Sequence, residues 1–102
     1  MTKISIAVHH QLSLDEALTR IKNLLHQVKE EHKDKITDLQ EGWAEYTGKF
    51  RFAYFGMPFS GTIAVEPNQV KLEGTIPLLV AMFQSKIEET IRRETEKLLT
   101  AN

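Results

Sequence analysis

Residues 50–76 read FRFAYFGMPFSGTIAVEPNQVKLEGTI, and the fold turns on how this stretch is divided. Phe50, Phe52 and Tyr54 alternate with Arg51, Ala53 and Phe55, so one face of an extended segment is aromatic. Phe55-Gly56-Met57-Pro58-Phe59 interrupts the alternation with Gly and Pro, which predicts a hairpin connection there. Thr62-Ile63-Ala64-Val65 is the next strand, and Glu66-Pro67-Asn68-Gln69 carries the residues that favour a tight turn. Val70, Leu72 and Ile76 then alternate with Lys71, Glu73 and Thr75. The same regime begins upstream at Ile36, punctuated by Glu41-Gly42-Trp43 and Thr47-Gly48-Lys49. Short, adjacent strands joined by tight turns predict an antiparallel meander.

On the N-terminal side, Ile4, Ile6 and Val8 alternate with Ser5 and Ala7, the pattern of a half-buried strand. Ser13-Leu14-Asp15-Glu16 has the form of a capping box, in which the Ser13 hydroxyl accepts from the Glu16 N–H. Leu14, Ala17, Leu18, Ile21, Leu24, Leu25 and Val28 then form one apolar stripe on a helix of about 20 residues, ending near His32 to Lys35. On the C-terminal side, Pro77 suits the first turn of a second helix. Leu79, Met82, Phe83, Ile87, Ile91 and Leu98 continue it at helical spacing. The expected fold is therefore α+β, in the order β-α-β-β-β-β-α, with an antiparallel sheet of about four to five strands and two helices on one face. The element order resembles that of a shortened helix-grip domain, in which a curved sheet holds a long C-terminal helix, a likeness of fold alone.

The chain of 102 residues is the size of one domain, expected to span 1–102. Its 41% hydrophobic content supports a core without a metal or disulfide staple. Thirteen basic against fourteen acidic residues give a net charge of −1, which lacks the basic excess of a nucleic-acid binder. With no cysteine, thiol catalysis, disulfides and thiolate metal sites are excluded. No run of residues is long and apolar enough to span a membrane, and Met1 to His10 lacks the apolar core of a signal peptide. A cytoplasmic location is expected.

Several segments together resemble the small bacterial polyhydroxyalkanoic acid system family. They are Ile4-Ser5-Ile6, Leu12-Ser13-Leu14-Asp15-Glu16-Ala17, the Trp43 region and Phe59-Ser60-Gly61-Thr62-Ile63-Ala64-Val65. Val70-Lys71-Leu72-Glu73-Gly74-Thr75-Ile76-Pro77-Leu78-Leu79 and Lys86-Ile87-Glu88-Glu89-Thr90-Ile91 complete the match in order. Genes of that family accompany storage-polyester synthesis, and some members are associated with the polyester granule. The resemblance implies a setting and supplies no catalytic residue. The segment from Glu41 to Met57 is more aromatic than the family pattern.

The residues themselves offer little chemistry. His9 and His10 point to opposite faces of a strand, and His26 and His32 are spaced off one helical face, so no metal site is expected. Ser60-Gly61 lacks the second glycine of a nucleophile elbow. The glycines are dispersed, with no phosphate-cradling loop, and no cofactor is expected. An enzyme is not expected.

Apolar contact is the better reading. Phe55, Met57 and Phe59 crowd a predicted hairpin, where polar residues are usual, and Leu78-Leu79-Val80-Ala81-Met82-Phe83 is apolar almost all round. Phe55, Met57, Phe59, Leu78, Leu79, Met82 and Phe83 are therefore candidate contact residues for a granule surface, a granule protein or a second copy of the chain. A second possibility is an apolar ligand between sheet and C-terminal helix, lined by Trp43, Phe52, Tyr54, Met82 and Phe83.

Overall fold

A computed structural model describes residues 2–100. Its elements are β1 (Thr2–His9), α1 (Leu14–Glu31), β2 (Ile36–Ala44), β3 (Thr47–Tyr54), β4 (Met57–Val65), β5 (Gln69–Ile76), a 3₁₀ helix (Leu78–Phe83) and α2 (Gln84–Thr100). The strands form one antiparallel five-stranded sheet in the order β1-β5-β4-β3-β2. The α+β order expected from the sequence is therefore present.

Two details of that expectation are corrected. The β3–β4 connection is only Phe55-Gly56, because both residues adopt positive φ (52° and 78°) and close a two-residue turn. Met57 and Phe59 are consequently strand residues, paired with Tyr54 and Phe52. Pro58 is tolerated in β4 because the pairing of β4 with β5 begins only at Ser60, which leaves its nitrogen without a ladder partner to miss. The single C-terminal helix expected from Pro77 is broken into two pieces, with Pro77 at the N-cap of the 3₁₀ helix and α2 following from Gln84.

Cross-strand pairing sorts the residues into two faces. Ile6 pairs with Leu72 and Leu72 with Ile63; Val8 pairs with Val70 and Val70 with Val65. These residues meet Ala17 and Ile21 of α1 and Leu99 of α2 in the core, so both helices cover the same face. Ser13 Oγ accepts from Glu16 N at 3.1 Å, as the capping box requires, while the Glu16 carboxylate turns to Arg20 Nε at 2.9 Å. The opposite face is polar: Lys3, Ser5, Lys49, Arg51, Lys71 and Glu73 all lie on it and are exposed.

The two ends of the sheet also differ. At one end, His10 is buried and its ring joins two segments: Nε2 donates to the Glu66 carbonyl (2.8 Å) and Nδ1 accepts from Leu12 N–H (3.1 Å). Both bonds together require the neutral imidazole. Tyr46 OH donates to Asp15 at the same end (2.8 Å), and the adjacent carboxylate raises the phenol pKa. The Pro67-Asn68 turn and the two-residue Glu45-Tyr46 hairpin also lie there. The other end carries the Phe55-Gly56 hairpin, the α1–β2 turn and the exit of β5 into the 3₁₀ helix.

Candidate functional site

The core is concentrated at the His10 end, and toward the opposite end the inner face becomes aromatic. Phe50, Phe52 and Phe59 stack along it, with ring centroids 6.2 Å apart for the first pair and 5.5 Å for the second. These rings are half-buried. Gly61 and Gly74 pair between them and β1, and a Cβ on Gly61 would meet the Phe50 ring at 2.9 Å. The missing side chain of Gly61 thus leaves room for the Phe50 ring.

Seven large apolar residues are exposed among the described ones: Val28, Leu39, Phe55, Leu78, Leu79, Met82 and Phe83. Strand direction puts the Phe55 hairpin and the exit of β5 into the 3₁₀ helix at the same end of the sheet, on different strands. The exposures run from 38% at Val28 to 81% at Met82. Singly exposed apolar residues are ordinary, whereas the contiguous run Leu78–Phe83, with four large side chains exposed, is a candidate contact surface. Leu78, Leu79, Met82 and Phe83 come from one 3₁₀ helix, whose three-residue period cannot turn six consecutive apolar residues into one core.

Phe55 adds a second mark. It is 66% exposed and held at φ +52°, a conformation that costs a bulky residue about 1–2 kcal/mol and suits Asn or Gly. Among the described residues its one ring contact is an edge-on approach to Tyr54, 4.8 Å between centroids. A large apolar ring at a strained, outward hairpin position is a costly choice for the fold alone.

The sequence candidates are thus divided. Phe55, Leu78, Leu79, Met82 and Phe83 are exposed at this end, while Met57 and Phe59 are half-buried in β4 and lie beneath it. Val28 and Leu39 were not among the candidates. Leu39 sits at an irregularity where the register of β2 against β3 shifts between Thr37 and Gln40, next to Asp38 at φ +54°. No pattern in the sequence announces that shift.

The proposed ligand-lining group is dispersed. Trp43 belongs to the α1 side: its indole covers Gly48, receives the Lys22 ammonium 5.1 Å from the ring centroid and donates Nε1–H to Glu41 Oε2 at 2.8 Å. Lys29 reaches the other Glu41 oxygen at 2.7 Å, and this bond, with that from Trp43, holds the carboxyl pKa below its usual value. Tyr54 is flanked by His32 and Phe55, and Phe52 by Phe50 and Phe59. A separate open groove of about 280 Å³ runs beside α2, lined by Phe83, Lys86, Ile87, Thr90 and Ile91. Its apolar members follow Phe83 at steps of four, a helical spacing visible in the sequence.

Chemistry-bearing residues remain apart. His9 is exposed and His10 buried on opposite faces, and no group of three potential metal ligands forms among the described residues. Ser60 sits in mid-strand between Arg51 and Thr75, with no imidazole in its cross-strand row. No described helix is long and apolar enough to cross a membrane.

A family model described as "Putative polyhydroxyalkanoic acid system protein" matches residues 4–99. No curated protein matches the chain. Among solved structures it is similar to the crystal structure of TTHA0849 from Thermus thermophilus, at 12% identity and a TM-score of 0.57. That likeness covers 96% of this chain and 92% of the other, and at this identity it is a likeness of fold.

Proposed function

Because the chain belongs to the polyhydroxyalkanoic acid system protein family, we propose that it is a non-enzymatic accessory protein of storage-polyester metabolism. It acts in the cytoplasm and attaches to the granule surface, or to a protein there, through its apolar end. The observation that carries this reading is the exposure of Phe55, Leu78, Leu79, Met82 and Phe83 on two segments that leave the same end of the sheet. Burying even about 300 Å² of such surface is worth roughly 7 kcal/mol before association costs, enough for reversible attachment. The test is sedimentation of the purified protein with polyester particles across a range of salt. Salt-insensitive cosedimentation supports apolar attachment, and a protein that stays in the supernatant argues against direct binding to the polymer.

The open groove beside α2 favours a second reading, a helix-grip-like module that holds a small apolar molecule against Phe83, Ile87 and Ile91. A fatty-acid ligand series that raises the melting temperature supports it. A homodimer formed through the apolar end is the remaining form of this contact, and light scattering on the free protein measures it.

A further inference from the structure

The polar face of the sheet carries a feature that the apolar end does not use. A trough of about 610 Å³ crosses all five strands there, opposite the face covered by the helices. Its walls follow from the register. Lys3, Thr75, Ser60 and Arg51 are successive cross-strand neighbours on β1, β5, β4 and β3. Two residues further along each strand, Ser5, Glu73, Thr62 and Lys49 form the second row. Rows two residues apart on one face stand about 7 Å from each other, and directly opposed Cβ atoms lie about 5 Å apart.

On β3 and β4 this geometry brings Arg51 and Lys49 together with the hydroxyls of Ser60 and Thr62. None of Lys3, Lys49 and Arg51 forms an ion pair among the described residues, although ion pairs occur elsewhere on the molecule. Two acidic residues line the trough: Glu73 lies on the next strand, and Glu41 on β2 has its carboxylate engaged by Lys29 and Trp43. Three cations against the one carboxylate not so engaged leave a positive field, and two hydroxyls supply donors beside it. We infer that the Lys49, Arg51, Ser60 and Thr62 corner is a binding site for the oxyanion of a small molecule, a phosphate or a carboxylate. Arg51 grips the anion through its planar fork, Lys49 neutralises it from the next row of the same strand, and the hydroxyls on β4 fix its orientation.

Backbone amide NMR with inorganic pyrophosphate and with succinate, at constant ionic strength, tests the site. Saturable shifts at Lys49, Arg51, Ser60 and Thr62 are expected. Saturation by pyrophosphate alone identifies a phosphoryl site, and saturation by succinate alone or by both identifies carboxylate or general oxyanion recognition. The double variant Lys49→Gln/Arg51→Gln should weaken binding at least about tenfold, whereas Lys71→Gln on the same face should leave it unchanged. Both substitutions are on exposed strand positions, and a circular dichroism spectrum confirms that the fold is retained. Absence of saturable shifts with either anion, or equal affinity in the folded double variant, overturns the assignment.

Discussion

Replacing Leu79 and Met82 together by Gln separates attachment from folding. These side chains are 79% and 81% exposed, so only about a fifth of each is buried by the fold itself. Full burial of a Leu or Met side chain is worth about 1.5–3 kcal/mol. The fold therefore loses about 0.4 kcal/mol per position, and the pair should lower the melting temperature by less than about 8 °C. The unrealised four-fifths, about 2 kcal/mol at each site, is what a surface or partner would capture. Losing both weakens attachment by about 4 kcal/mol, close to a thousandfold in Kd. The assay is cosedimentation with polyester particles over a concentration series, paired with thermal melts of the same preparations. Ile6→Ala is the internal reference, because Ile6 is a core residue and its truncation costs about 2–5 kcal/mol of stability. Unchanged attachment by a folded double variant would refute the role of the 3₁₀ helix. A melting temperature that falls as far as in Ile6→Ala would show that the helix is structural instead.

Four further variants test the packing and the polar links. Gly61→Ala should destabilise the protein by about 1–3 kcal/mol in urea melts, since a Cβ would meet the Glu73 carbonyl at 2.7 Å and the Phe50 ring at 2.9 Å. Gly42→Ala, with nothing within 4 Å of its Cβ, should be neutral within about 0.5 kcal/mol and so isolates the steric cause. His10→Ala should cost about 2–3 kcal/mol in the same assay, because Leu12 N–H and the Glu66 carbonyl lose their shared partner. Glu41 has a folded pKa held below 4.5, so its contribution is complete above the unfolded pKa and is lost as pH falls through the folded value. Melts from pH 6 to pH 3 should accordingly show a shallower acid loss in Glu41→Gln than in the parent, and equal slopes would count against the Lys29–Glu41–Trp43 link.

The secondary structure was legible because local signals agreed with tertiary need. The Ile4, Ile6, Val8 alternation and the Ser13 cap each depend on neighbours only a few residues away, and both are present. Pro67-Asn68 likewise makes its turn from local chemistry alone. The Phe55–Phe59 segment misled because Gly56 and Pro58 both read as turn residues, and only pairing with Tyr54 and Phe52 reveals that the chain has already resumed a strand. The 3₁₀ helix has the composition of a helix core, and its exposure follows from where β5 ends, which is a tertiary fact. Leu39 required knowledge of a register shift. The exposed apolar residues were thus recognisable by crowding at Phe55 and Leu78–Phe83, but that both segments leave the same end of the sheet depended on strand order. The polar trough was not legible at all, because its walls come from separate strands that meet only through the register.

The placement of β1 beside β5 also governs how the chain can fold. Thr2 faces Ile76 and Val8 faces Val70, so the first strand has no partner until more than sixty residues have followed it. The β2–β5 meander can zip through near-neighbour hairpins, while addition of β1 closes a long loop whose entropy must be offset in a single step. Leu99 completes the same core from the far end of the sequence. A nascent chain halted before Leu99 would therefore carry a meander whose inner face has only α1 available to cover it. Sealing of that core therefore waits on α2, and the apolar surface left open in the interval is an aggregation hazard.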